Sequence, residues 1–242
     1  MTKQVEERLT NTRTSDSVYY NGNNDWIDAT YLRKLVCKEK YFIEVEKGEV
    51  LASPGSRIDA CFYIEHGFVI VYEVDQNDKR RIFDLIEPGM LLFSDFILFD
   101  RTSSFYYEAG ETLRLYSLDM VKARKLMQKD KRFNEAVLAK TLRDFLVAQD
   151  LVRKTTTHTA MWRVSDFLAI FARRTGKPKP DGSTVIDIRV NQKQIADMLF
   201  INRITCLKCV HQLEDAGYIS ISSGKYEVKD IARLEEFRDT CE

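Results

Sequence analysis

The 242-residue chain has four prolines, ten glycines, five cysteines and three histidines, and its 37 basic and 37 acidic side chains cancel. Each shortage argues against something. Zero net charge removes a global field that would hold the chain on nucleic acid or a membrane, although a local basic face stays open. An odd number of scattered cysteines (37, 61, 206, 209 and 241) does not suit a secreted disulfide framework. No apolar run reaches the roughly 20 residues that span a bilayer. The polar start MTKQVEERLTNTRTSDS has no apolar signal-peptide core. A cytoplasmic protein is expected. There is no nucleophile elbow, phosphate-binding loop, dinucleotide fingerprint or metal-ligand cluster, so nothing indicates an enzyme. What is abundant is ordinary: 44% hydrophobic and 31% charged residues, the balance of a globular chain with one large domain or two small ones.

Four stretches differ in texture. Residues 1–24 are rich in Asn, Thr, Ser and charge, and suggest a flexible N-terminal arm. A segment over residues 25–130 begins with a helix, for which Asp25 is the candidate N-cap. It continues as short apolar runs (YFIEV, EVLA, CFYIEHG, FVIVYEV, RRIFDLI, LRLYSL) divided by turn residues, the pattern of an all-β barrel or sandwich. The DQND cluster between FVIVYEV and RRIFDLI predicts a hairpin. A helix after it has Ser117 as its candidate cap. Residues 131–155 carry no Gly or Pro and predict one long helix. Leu138, Leu142, Phe145, Gln149 and Val152 fall at heptad spacing along it and predict a dimer interface. Residues 156–242 then read as helix, strand, helix-turn-helix and β-hairpin, a winged DNA-binding module.

Within FINRITCLKCVHQLEDAGYI, Cys206, Cys209, Val210 and Leu213 recur at i, i+3, i+4 and i+7, one apolar stripe of a helix. Both thiols therefore read as filling beneath the helix rather than as a redox or zinc pair, which would need a strand-to-helix setting or two further ligands. The outward set is Arg203, Ile204, Leu207, Lys208 and His211. Arg203 can fork onto guanine, Lys208 can reach a base or phosphate, and Ile204 and Leu207 suit thymine methyl groups. Asn202 and Thr205 complete the helix start, while Gln192, Lys193 and Lys225 are candidate phosphate anchors. Between Thr156 and Lys229 basic residues exceed acidic ones by four, a local field that suits a DNA reader.

The order of parts resembles the catabolite-activator/FNR (CRP/FNR) family of bacterial transcription regulators over roughly residues 40–230. Gly48, Glu49, Gly55, Tyr63, Ile64, Gly67 and Val69 are similar to the family's sensor frame, and VNQKQIADMLFINRITCLKCVHQLEDAGYI to its DNA-binding motif. The resemblance implies an α+β protein: an N-terminal β jelly roll like a cyclic-nucleotide-binding domain, a long dimerisation helix and a C-terminal winged helix-turn-helix. It also implies a homodimer on a near-palindromic operator, with RNA polymerase as a partner and Arg203 as the major-groove arginine. Ile204 departs from the acidic residue of the cAMP-responsive members.

LLFSDFILFDRTSSFYYEAGE departs from the family's phosphate-binding segment: Ser94 and Asp95 replace its Gly and Glu, and Arg101 comes too early. A small effector other than cAMP is expected. Phe96, Phe99, Tyr106 and Tyr107, with Arg143 on the long helix, are the candidate contacts for a small aromatic or acidic ligand, and Phe105 belongs to the same aromatic set. His66 and Cys61 are the sensor's candidate haem ligands, though each also suits packing or surface, and no cofactor is assigned. Two alternatives stand beside this reading. One is a ligand-binding regulatory module acting through protein partners; the other is a regulator switched by oxidation of Cys206 and Cys209.

Overall fold

The computed structural model describes residues 29–37, 42–99, 101–186, 191–222 and 224–241. The arm expected over residues 1–24 and the Asp25 cap lie outside them. The described residues fall into two compact units parted between Ala148 and Gln149.

The first unit opens with α1 (Ala29–Val36), whose Leu32 and Val36, one turn apart, are buried. Eight strands follow: β1 (Ile43–Val45), β2 (Val50–Ala52), β3 (Ala60–His66), β4 (Val69–Val74), β5 (Arg80–Ile86), β6 (Leu91–Leu92), β7 (Tyr106–Ala109) and β8 (Leu113–Asp119). They form two antiparallel sheets in the orders β1-β8-β3-β6 and β2-β7-β4-β5. Early and late strands interleave in both sheets, as in a jelly roll. The expected hairpin is β4–β5. Asp75 closes its turn by accepting from the N–H groups of Asn77 and Lys79 at 2.9 and 3.0 Å. At the β3–β4 turn Gly67 has φ +79°, and a Cβ there would meet the Thr112 carbonyl oxygen at 2.7 Å, so only glycine fits.

The core lies between the sheets. Val69, Val71, Ile86, Tyr107 and Ala109 of one sheet join Ile64, Leu113 and Leu115 of the other in it. Each aliphatic side chain buried this way contributes about 1.5–3 kcal/mol. A bulge breaks the β4–β5 ladder: Val71 pairs with Asp84 and Tyr72 with Ile82, so that Phe83 is the extra residue on β5. The extra residue puts Asp84 at the end of the row Ala52, Tyr107, Val71.

The α2 helix (Met120–Lys129) is capped by Asp119, which accepts from the N–H groups of Val121 and Lys122. Ser117, the expected cap, instead lies inside β8 opposite Phe62, because the strand's ladder runs on through Asp119. The α3 helix (Lys131–Thr157) has 27 residues, a rod of about 40 Å. Its Phe133, Ala136 and Val137 join the sandwich core.

The second unit holds the last turns of α3, then α4 (Ala160–Thr175), β9 (Lys177–Pro178), β10 (Thr184–Ile186), α5 (Gln192–Met198), α6 (Arg203–Asp215), β11 (Ile219–Ser222), β12 (Lys225–Val228) and α7 (Ile231–Asp239). The strands form one antiparallel sheet in the order β11-β12-β10-β9, with β11–β12 as the wing. Of the expected strand TVIDIRV, β10 covers the first three residues and the last four lie outside the described residues. The α7 helix adds an element that the sequence pattern had not announced. Among the described residues no helix is long and apolar enough to cross a membrane.

Candidate functional site

The α5 helix starts with a capping box: the Asn191 side chain accepts from the Gln194 N–H, and Gln194 accepts from the Asn191 N–H, both at 2.9 Å. The chain leaves α5 through Phe200 at φ +54° and enters α6 at Asn202. The Asn202 side-chain oxygen accepts from the Thr205 N–H at 2.7 Å. Asn202 is thus committed to the cap that holds the helix start, and Thr205 beside it is half-buried. The α6 helix packs on α4 and α5. Cys206, Cys209, Val210 and Leu213 form its buried stripe, as the spacing predicts. Both thiols are free. Burial pushes Cys206 up to about 11 and raises Cys209. The thiolate, which is the reactive form, is therefore scarce at neutral pH.

Arg203, Ile204, Lys208 and His211 are exposed on the outer side of α6, with Leu207 half-buried among them. Ile204 is 67% exposed, the most of any large apolar residue described. Arg203 and Lys208, together with Lys193 at the start of α5 and Lys225 on β12, have no acidic partner among the described residues. Other cations of this unit do. Glu227 holds both Lys179 and Lys229, the latter at 2.7 Å, and these contacts pull its carboxyl down to about 2. Arg173 lies on Glu235 at 2.5 Å. Gln192 is half-buried as the first residue of α5. Lys177 is exposed and also lacks an acidic partner among the described residues, a candidate that sequence reasoning missed because a lysine in KPKP carries no periodic signal.

In the first unit the expected effector contacts do not form one pocket. Phe96 and Tyr107 are buried together against Phe93, with ring centroids 6.0 and 4.7 Å away. Tyr106 points to the opposite face of β7, as neighbouring strand residues must, and stacks on Tyr72 at 5.0 Å with Arg80 above that ring. Phe99 stands exposed beside Leu98, outside the core. Phe105 packs on Phe83.

Arg143 does reach the inner row, but it is already engaged. It donates to both oxygens of Asp84, at 2.5 and 3.0 Å, and to Asp144 at 3.1 Å. Lys140, only 5% exposed, pairs with Asp144. Arg101 pairs with Asp95 at 2.9 Å. Burial alone would raise the Asp84 carboxyl, yet the Arg143 guanidinium outweighs it and the group is held below the usual carboxylate range. Burial would also lower Arg143, and Asp84 raises it instead. Sequence reasoning missed Asp84, Asp144 and Lys140. The one available signal was a carboxylate inside the apolar run RRIFDLI.

Cys61 and His66 lie on one strand but differ in setting. Cys61 is fully buried and donates to the Leu118 carbonyl, and burial pushes its thiol up to about 12. His66 is exposed beside the Thr112 carbonyl. The two therefore do not converge on one metal. Along α3, Leu138, Leu142, Phe145 and Val152 are 50–61% exposed, and Gln149 is exposed with them.

Comparison with known proteins agrees with this division. Residues 42–130 match the cyclic nucleotide-binding domain and residues 163–237 the Crp-like helix-turn-helix domain. The chain is 23% identical over 197 residues to the global nitrogen regulator of Synechococcus elongatus, across 80% of this chain and 87% of that one. A CooA mutant from Carboxydothermus hydrogenoformans has a similar fold, with TM-score 0.71 and 20% identity over 85% of this chain and 94% of that one. CprK complexed with OCPA gives TM-score 0.67 at 14% identity, over 84% of this chain and 92% of that one. With a jelly roll matched in one half and a capped helix-turn-helix with its wing in the other, the chain belongs to the CRP/FNR family of DNA-binding transcription regulators.

Proposed function

We propose that the protein is a cytoplasmic homodimer that reads a near-palindromic operator and is gated by a small effector other than cAMP, with RNA polymerase as its further partner. The observation that carries the reading is the outer side of α6. Arg203 and Lys208 face water without a carboxylate partner among the described residues, on either side of an isoleucine that is two-thirds exposed. Such a face is unfavourable in water and suits base edges and thymine methyl groups in a major groove. Lys193, Gln192 and Lys225 serve as phosphate anchors, with Lys177 added. The exposed heptad stripe Leu138, Leu142, Phe145, Gln149, Val152 supports pairing of two α3 helices. The domain division that goes with this is a sensor over residues 25–130, a dimer helix over 131–155 and a DNA-reading domain over 156–242.

For the effector, the charge state of the sensor interior is the guide. Among the described residues the buried Arg143 and Lys140 each lie on an aspartate, as does Arg101 at the surface, so none of the three is left to receive a phosphate. An uncharged or apolar ligand near Phe96 and Tyr107 fits better than a cyclic nucleotide. The fold is shared with CprK, which was solved with OCPA, and fold alone does not name the ligand. The thiol-switch reading is disfavoured by burial of Cys206 and Cys209. Selecting bound duplexes from a random pool at several salt concentrations tests the proposal. A shared two-fold motif is expected, with affinity falling steeply as salt rises. Recovery of unrelated sequences would refute sequence-specific reading.

A further inference from the structure

Asp166 sits in the middle of α4 and is 2% exposed, between the buried Val164 and Phe167. A carboxylate in such a place is strongly unfavourable unless it is paired. It is paired twice, to two different elements. Its Oδ2 accepts from Lys154 Nζ at 2.6 Å, and its Oδ1 from Arg238 Nη1 at 3.0 Å. Lys154 lies in the last two turns of α3 and Arg238 in the last turn of α7. Lys154 is held in addition by Asp150, at 3.1 Å. The Trp162 ring, with His158 stacked on it at 3.7 Å, lies 5.4 Å from the Arg238 guanidinium and 5.9 Å from the Lys154 ammonium. The Thr159 hydroxyl donates to the Cys241 carbonyl at 2.6 Å and ties the α3–α4 junction to the chain beyond α7. The cavity beside the network measures about 20 Å³, room for one water and no ligand.

We infer that Asp166 is a positioning residue for DNA reading. It clamps the last turns of the dimer helix to α4 and α7, so that the reading helix is carried by α3 and not by a free joint at residues 157–159. The inference rests on the dimeric reading proposed above. Apolar residues of similar volume would hold these helices together as well or better, so stability is not what the charges supply. A two-sided ion pair fixes rotation and register, which a smooth apolar contact does not. The α6 helix packs directly on α4, and the position of α4 therefore sets that of the reading helix.

The test measures how strictly the full-length protein discriminates the separation of its two half-sites. Operators carry the selected half-sites with the spacer unchanged, or shortened or lengthened by one or two base pairs, and a single half-site is the reference. Wild-type protein prefers one spacing. Asp166→Asn, which keeps the shape but removes the charge, should bind the native spacing roughly tenfold or more weakly and lose most of the preference. Its affinity for the single half-site should stay within about twofold of wild type. Lys154→Met is the second variant, because it leaves Asp166 paired to Arg238, and the same loss of preference is expected. If either variant folds, dimerises and keeps the wild-type ratio across spacings, the clamp is wrong and Asp166 merely supports the fold. Wild-type protein that gains nothing from a second half-site would overturn the dimeric reading itself, and the clamp with it.

Discussion

In the sensor unit Arg143 lies on Asp84, Lys140 on Asp144 and, at the surface, Arg101 on Asp95, whereas on α6 Arg203 and Lys208 meet no carboxylate among the described residues. The same residue types serve opposite purposes. In the sensor unit each pair is internally neutral, so its field cancels at short range and a charged ligand finds no free counterpart. In the DNA-binding unit the acidic residues Glu227 and Glu235 neutralise Lys179, Lys229 and Arg173, and the cations left over lie on the face proposed to meet phosphates. A chain of zero net charge thereby presents a positive surface in one place only by pairing its charges elsewhere.

The comparison is broken most completely at α3, the proposed dimer helix. Leu142→Asp or Phe145→Asp should give monomers in sedimentation and cost about a thousandfold or more in operator affinity, close to the non-specific level. A dimer in both variants would contradict the assigned stripe. Next in size is the Asp84–Arg143 pair. Asp84→Ala leaves the buried guanidinium with Asp144 alone, which it shares with Lys140, and should cost about 3 kcal/mol in urea unfolding, while Asp84→Leu with Arg143→Met should be close to neutral. Equal losses in the single and double variants would mean that shape and not charge is at stake.

The pH dependence of the same pair has a definite sign. The Asp84 carboxyl is held below its unfolded value, so its contribution is complete above about pH 4 and disappears as pH falls through the lower folded value. Asp84→Asn should flatten the acid limb of the stability curve. An unchanged limb would place the acid-sensitive group elsewhere.

Smaller effects are expected on DNA. Arg203→Ala should cost about 1–3 kcal/mol on the operator and relax discrimination at one base pair. Lys225→Ala should weaken all duplexes alike and reduce the salt slope by about one. Equal losses on specific and random duplex for Arg203→Ala would make it a phosphate contact. Smallest of all is the response to cAMP. With Arg143 and Lys140 both paired and no other buried cation unpaired among the described residues, calorimetry should detect no binding below about millimolar. A micromolar constant would show that one of the three pairs opens.

Features set by neighbours along the chain were legible in advance. The Cys206–Leu213 stripe, the heptad positions of α3 and the β4–β5 hairpin follow from repeats of 3.6, 3.5 and 2 residues and from turn chemistry, all of which act within a few residues. The α2 cap was misplaced by two residues because Ser117 and Asp119 are both good caps, and only the strand pairing with β3 decides between them. Tyr106 and Tyr107 were read as one pocket although adjacent strand positions face opposite ways. Phe99 was grouped with them because apolar spacing does not reveal which aromatic leaves the core.

The linear sequence by itself determined most of the elements, their order and the buried stripe of α6, since periodicity is local, while α7 and the choice of the α2 cap were not legible in it. Tertiary structure alone decided how the charges are used. The bulge at Phe83 puts Asp84 in the inner row, and folding then brings it to Arg143, 59 residues away. The same holds for Asp166 and Arg238, 72 residues apart. A charge's role depends on which opposite charge the fold brings within a few ångströms, since Coulomb energy falls with distance and rises steeply when water is excluded.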